Sequence, residues 1–370
     1  MAQKNIHNCD IIIAGAGLSG LTTAYLLSKQ NVDFQIFEAS DRPGGRIHSV
    51  TSSLHENSQF DLGPTWIWPD YQPVAAKWLN KLGLGSFEQF DKGDAIVETN
   101  ANSDTYRQTL PGQHGIRRIK GGPKAIVDKL LKAIPQSKIK LGIAIKQVEL
   151  FEDGLVIHTH NPAQQIIHAK KLIIAVPPRM AHESIIWPTE MAPRLSSMLQ
   201  MTPTWMATQA KAIIEYPQAF WREAGLSGRV ASHSGPLVEV HDHCSFDGKA
   251  AALFGFIGIP HSNRSELRSQ LHEAIIEQLV HCFGEVARKP LKLTIQDWAD
   301  EPHICSGTDL ETSPAHPEVM PGLIRDGHFN ERVYFSSAET SARSPGLIEG
   351  ALEAGEQIAA RVLTQPKTGR

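Results

Sequence analysis

Apolar residues in this chain come in short runs of two different spacings, and the switches between them predict its elements. Ile11 to Ala14 is continuous and stops at Gly15-Ala16-Gly17-Leu18-Ser19-Gly20, as a buried strand entering a turn does. An alanine- and leucine-rich helix follows, then a second strand, Val32 to Phe37, closed by Glu38. Helical spacing recurs over Val74 to Leu82, stopped by Gly83. It recurs again after Gly121-Gly122-Pro123, with Ile126, Val127, Leu130, Leu131 and Ile134 as the apolar stripe. The residues between these two helices are polar and weakly periodic. Ile143 to Leu150 and Leu155 to His160 alternate as strands, whereas Lys171 to Pro178 holds a near-continuous apolar run, expected of a strand buried on both faces of a parallel sheet. From Trp205 to Ile259 a β pattern rich in aromatics predicts a second sheet. Asn263 and Glu266 suggest a capping box opening a long helix to Cys282, ended by Gly284. The chain closes with a strand (Val333 to Ser336), Gly346, a helix (Glu349 to Leu363) and a loose tail, Gln365 to Arg370. No internal repeat is present.

The first strand, glycine run, helix and second strand form the context in which G-x-G-x-x-G reads as a dinucleotide site. Gly15 permits the tight turn, Gly17 lets the backbone approach a pyrophosphate, and Gly20 allows close helix–strand packing. The helix start at Leu18 and Ser19 offers unpaired N–H groups to phosphates. Glu38, followed by Ala39, is placed to accept from the adenosine ribose hydroxyls, and its charge disfavours a 2′-phosphate, hence NADP.

A chain of 370 residues with 41% hydrophobic content fits about two domains around two cores. Its net charge of −3, from 36 basic and 39 acidic groups without long like-charged runs, argues against nucleic acid or anionic membrane as the main partner. Cys9, Cys244, Cys282 and Cys305 are scattered, so neither a zinc knuckle nor a disulfide framework is expected and a reducing cytoplasm is the default. Ile11 to Leu27 lacks the basic front region of a signal peptide. No other apolar stretch approaches the roughly eighteen residues a membrane anchor needs.

Arg42-Pro43-Gly44-Gly45-Arg46, directly after the acidic residue, narrows the reading. This segment resembles the flavin-containing amine oxidases, the monoamine and polyamine oxidase family. Further matches follow in order: Asp61-Leu62-Gly63, Arg118 before Gly121-Gly122, Ile174 to Pro178, Ala210-Lys211 and Phe220-Trp221-Arg222. Asp297-Trp298, Ser306-Gly307, Ala338-Glu339-Thr340 and Gly346 to Gly355 complete the set. The resemblance implies an α/β fold with a Rossmann-like FAD-binding domain on a parallel sheet (1–65, 115–190, 295–370). A reduced α+β substrate domain (66–114, 191–294) is interleaved with it. FAD would run along the strands' carboxyl ends, with Gly44, Gly45 and Arg46 at the pyrophosphate and the Gly63-Pro64-Thr65 turn against the cofactor. By the same resemblance the Val148 backbone would meet the adenine edge, Glu339 the ribityl-phosphate region, and the helix start at Leu347 and Ile348 the flavin pyrimidine. A helix N-terminus there stabilises the negative charge of reduced flavin.

Lys211 lies between two alanines in an expected strand, Thr208 to Tyr216. It is either an edge lysine facing solvent or, by the resemblance, the lysine that holds a water against the flavin's reactive nitrogen, with a lowered pKa. Trp298 is expected to wall that lysine, and Trp66 to line the substrate cavity. Alternation puts Trp68 on the same side. His241-Asp242-His243-Cys244 reads as a turn or strand end sooner than a metal site, because no further ligands stand at a known spacing. Three departures from the family pattern bear on substrate. Asp309 stands where some members carry a flavin-linked cysteine, Cys305 being four residues early, so FAD is expected to be non-covalent. Leu310 and Leu347 stand where two aromatic rings would flank a substrate amine. Asp94 to His114 is a short polar connection in place of a helical roof, leaving the cavity open or closed by a second subunit in a homo-oligomer. The expected activity is hydride transfer from a carbon next to nitrogen to FAD, with oxygen as acceptor and hydrogen peroxide as product. A carbon–carbon desaturase of the phytoene desaturase or protoporphyrinogen oxidase type and a non-catalytic flavin-binding protein are the rivals.

Overall fold

The computed structural model describes residues 6–100, 104–112, 114–160 and 165–364. The tail at 365–370, expected to be loose, lies outside them.

The first strand, Ile6–Ala14, pairs in parallel with Phe34–Glu38 on one side and Ile166–Ile174 on the other. Ile139–Leu141 extends the parallel sheet beyond Phe34–Glu38. Ile166–Ile174 forks: its first half pairs antiparallel with Gly154–His160, itself hairpinned to Ala144–Phe151, and its second half pairs in parallel with Val333–Phe335. Strand alternation sorts the apolar run to both faces. Ile11 and Ile13 join a core with helices Leu18–Lys29, Lys124–Ala133 and Ile348–Thr364, while Ile12 and Ala14 join a second core with Phe37, Ile157 and Phe335. Leu172, Ile173 and Ile174 are fully buried, as the continuous apolar run predicts.

The second sheet runs Lys292–Asp297, Ala210–Tyr216, Ala251–Ile257, Leu237–Asp242, Leu226–Ser232, Asp94–Glu98 and Tyr106–Gln108. Helix His261–Phe283 packs Leu271, Ile275 and Leu279 into this sheet's core. A small sheet joins Trp66–Ile67 and Ser86–Glu88 to Arg117–Ile119.

Four sequence expectations change. The 94–114 connection is not a bare polar loop: two of its segments are strands that lengthen the edge of the second sheet. The run from Lys171 ends as a strand at Ile174, and Pro177 and Pro178 start a helix, Pro178–Ser184, as proline's fixed φ suits a first turn. The long helix starts at His261 after Pro260, not at Asn263, which sits inside the first turn with its N–H on the Pro260 carbonyl. The domain boundary expected at 294/295 falls inside the strand Lys292–Asp297.

Candidate active site

A cavity of about 490 Å³ opens along the carboxyl ends of the parallel strands, between the two sheets. Part of its wall is the glycine turn and the Gly44-Gly45-Arg46 loop, which the Gly44 N–H ties to the Ala16 carbonyl at 2.8 Å. The three glycines of the turn do different work. Gly15 has φ +104°, a left-handed conformation that a side chain disfavours. A Cβ on Gly20 would lie 2.1 Å from the Gly15 oxygen and 3.1 Å from the Ala175 Cβ, so this glycine serves the close packing expected of it and lies behind the cavity wall, not on it. A Cβ on Gly17 would meet nothing within 4 Å; that residue borders open cavity. Leu18 and Ser19 line the wall beside it, and Gly17 N-caps the first helix, whose leading N–H groups are free for a ligand.

Glu38 is buried, with one carboxylate oxygen accepting from the Ala16 N–H at 2.6 Å and the other from the Ser40 N–H at 2.9 Å. It lines the cavity with Ala39, Ser40 and the segment Ile143 to Lys146. Val148 does not. Its N–H is taken by the Ile186 carbonyl and its side chain is buried in the core, because a bulge between Ile145 and Gln147 moves the cavity-facing stretch upstream. Arg46 reaches the cavity and is held from behind by Glu339 through two hydrogen bonds of 2.5 and 3.0 Å. Burial pushes the Glu339 carboxyl up, but the Arg46 charge and hydrogen bonds outweigh it and hold the group below its ordinary range. Glu339 therefore orients Arg46 and does not itself face the cavity. Leu347 and Ile348, at the start of the last helix, line it as expected, and Glu349 turns away to accept from the Val74 and Ala75 N–H groups.

Lys211 sits on an internal strand of the second sheet, between the edge strand Lys292–Asp297 and Ala251–Ile257, and is 3% exposed, so the solvent-facing alternative fails. Its Nζ donates to Thr65 Oγ1 at 2.5 Å and to the Gly63 carbonyl at 3.0 Å, and lies 4.2 Å from the Phe254 ring centre. Burial pushes its pKa down to about 7, against the pull of Asp61. Trp298 donates Nε1–H to the Leu62 carbonyl at 3.1 Å, which places its ring over the Gly63 turn, and Gly63, Pro64, Thr65 and Trp298 share the cavity wall with Lys211. Trp66 and Trp68 both line it, with ring centres 6.5 Å apart, and Trp66 is fixed by a 2.9 Å bond to Gln89.

Leu310 is misplaced by the sequence reading. Ser306 and Asp309 form a capping box on the helix Gly307–Glu311, and Asp309 is buried in an ion pair with Arg179 at 2.7 Å. That leaves Leu310 half exposed and away from the cavity; His303 and Ile304 line it instead. Phe256, Met206 and Gln209 also line the wall. Phe256 is the register partner of Lys211, a pairing no local pattern reveals. The His241 to Cys244 segment is engaged by protein: His241 bonds Glu239, Asp242 holds Trp221 and Arg222, and His243 accepts from the Asp61 N–H.

The chain matches the profile of the flavin containing amine oxidoreductases over residues 18–111 and 97–363. It belongs to that family. It is 22% identical to a probable flavin-containing monoamine oxidase A of Dictyostelium discoideum, covering 95% of this chain and 97% of that protein. It is 26% identical to the flavin-containing amine oxidase B of Cavia porcellus, covering 96% and 86%. Among solved structures, a putrescine oxidase bound to putrescine aligns with TM-score 0.79 at 19% identity over 97% of this chain and all of that one. Cyclohexylamine oxidase from Brevibacterium oxydans IH-35A aligns at 0.76 and 20% identity over 96% and 98%. The family is one of flavin-dependent oxidoreductases, so the chain is an enzyme of amine oxidation; the desaturase and non-catalytic readings are not favoured. Among the described residues no helix is long and apolar enough to cross a membrane.

Proposed function

We propose that this enzyme binds FAD without a covalent link and oxidises the carbon next to nitrogen of a small amine, with oxygen as acceptor and hydrogen peroxide as product. The observation that carries the reading is the buried Lys211 beside Trp298 on the wall of a cavity that also borders Gly17 and Glu38. The residues fit an extended dinucleotide. The space over Gly17 is where a side chain would intrude on a pyrophosphate, and Arg46 faces the same cavity. Among the described residues no cysteine lines the wall, which supports non-covalent binding. All four thiols are buried and unpaired, which supports a reducing, cytoplasmic setting.

When bound, FAD supplies the hydride acceptor. The protein's share is binding, orientation and charge. Glu38 accepts hydrogen bonds from ribose hydroxyls, its carboxylate preset by the Ala16 and Ser40 N–H groups. Arg46, braced by Glu339, offers positive charge to the diphosphate. The first N–H groups of Ile348–Thr364 and the positive end of that helix face the cavity at Leu347 and Ile348, where they stabilise negative charge. Trp66, Trp68, Phe256 and Trp298 exclude water and hold an apolar body. Lys211 holds or releases a proton at Nζ near neutral pH.

The test is anaerobic mixing of the purified protein with a panel of amines, followed by aeration and peroxide detection. Flavin bleached by amines, and released as free FAD on denaturation, supports the reading. Flavin that stays with the denatured chain overturns the non-covalent part. Bleaching by polyenes or porphyrinogens alone overturns the amine part.

A further inference from the structure

Four elements bring Lys211 together with three buried polar groups that the proposed chemistry does not use. Asp61 ends the strand Gln59–Asp61, Arg118 lies on Arg117–Ile119, His243 follows Leu237–Asp242, and Lys211 is on Ala210–Tyr216. All four side chains are buried. Lys211 is tied to the Asp61 segment, since its two acceptors are Gly63 and Thr65.

The charges can be counted from the hydrogen bonds. The Asp61 N–H donates to His243 Nε2 at 2.8 Å, so that nitrogen carries no proton and the imidazole is neutral. Burial, reinforced by Arg118 and Lys211, pushes the His243 pKa well below its ordinary value, in agreement. Asp242 is engaged by Arg222 through bonds of 2.7 and 2.8 Å and by Trp221 Nε1–H at 2.8 Å. Arg118 spends its guanidinium on the Cys244 and His243 carbonyls and keeps its charge. Asp61 is then, among the described residues of this cluster, the anion left to offset Arg118 and Lys211. Ser49 Oγ donates to it at 3.3 Å. Room for the carboxylate depends on Gly122: with φ +72°, a Cβ there would stand 2.3 Å from Asp61 Oδ1.

Resting on the amine-oxidation reading for its functional meaning, we propose that Asp61 is a positioning residue that holds Lys211 in its protonated form beside the cavity, with Gly122 keeping the space its carboxylate needs. Arg118 opposes it. Burial raises Asp61 to about 6, despite the pull of Lys211 and Arg118, and lowers Lys211 to about 7, so both are charged in a narrow window near neutrality. A proton on Nζ there sets positive charge where negative charge develops as oxygen accepts electrons.

The experiment follows Lys211 directly in flavin-loaded protein labelled with [13Cε]lysine, its resonance identified by its loss in Lys211→Met. The wild-type midpoint is expected near 7. Asp61→Asn, which keeps shape and removes charge, moves the midpoint down by about one unit or more, a tenfold change in proton affinity. Arg118→Gln moves it up. Equal midpoints in all three proteins, or both variants shifting in one direction, overturn the proposal. So does a wild-type lysine that titrates in a single step near 10, a result that needs no variant to fold. The titration uses no substrate, so a failure of amine oxidation, read as unbleached flavin, is a separate result.

Discussion

Lys211→Met is expected to stabilise the flavin-free protein while impairing the oxygen reaction. The folded-state pKa of Lys211 is about 7, against 10.5 for a free lysine. At about 1.4 kcal/mol per unit, burial of this amine opposes folding at pH 7 by at most on the order of 5 kcal/mol. Methionine fills nearly the same volume without that penalty. It loses two hydrogen bonds, to Thr65 Oγ1 and the Gly63 carbonyl, at about 1 kcal/mol each. Its loss of the cation contact with the Phe254 ring removes about 1 kcal/mol more. The net expectation at pH 7 is a gain of about 2 kcal/mol. The sign of the pH dependence follows from the lowered pKa. Between about 7 and 10.5 the unfolded chain binds a proton that the folded one does not, so wild-type stability rises with pH through that window. The variant lacks this contribution, and its advantage shrinks and then reverses as pH approaches 10.5. Urea unfolding of both proteins at pH 7, 8.5 and 10 measures it, and the difference cancels groups common to both, such as the buried thiols. A constant difference across the three pH values refutes the reasoning. In the loaded enzyme, stopped-flow reoxidation by oxygen is expected to slow, with flavin retained.

Gly17→Val and Gly20→Ala separate the two jobs of the glycine turn. The first meets open cavity and should cut flavin retention while apoprotein melting stays within about 0.5 kcal/mol of wild type, whereas the second clashes with the Gly15 oxygen and should lower melting itself. Glu38→Ala strips acceptors from two backbone N–H groups and should lower apoprotein stability by about 2–4 kcal/mol as well as flavin affinity; Glu38→Gln keeps one acceptor, so a milder stability loss is expected in denaturant titration. Asp309→Ala leaves Arg179 buried without its carboxylate and should lose about 3–5 kcal/mol in the same assay, with the flavin spectrum of the folded fraction unchanged because Asp309 is off the main cavity.

The glycine turn, Glu38 and the Gly44-Gly45-Arg46 loop were legible because each acts through local backbone geometry. Helix stops at Gly83 and Gly284 were legible for the same reason. Val148 lies two residues beyond the last cavity-lining position of its strand, Lys146, since a bulge leaves no mark in an alternating pattern. Leu310 was put on the cavity by the family resemblance, yet the buried Arg179–Asp309 pair turned it outward. Glu339 was read as a cofactor contact; that it braces Arg46 depends on a partner 293 positions away in the chain.

By itself, the chain determined a glycine turn and helix start of the dinucleotide-binding type on a parallel sheet, because turn, helix start and acidic strand end lie within one continuous segment whose spacing is the geometry. Tertiary structure alone decided what surrounds Lys211. Its neighbours Thr65, Asp61, Arg118, His243 and Phe256 come from separate elements, and its proton affinity is a sum over charges and burial that exist only once those elements pack.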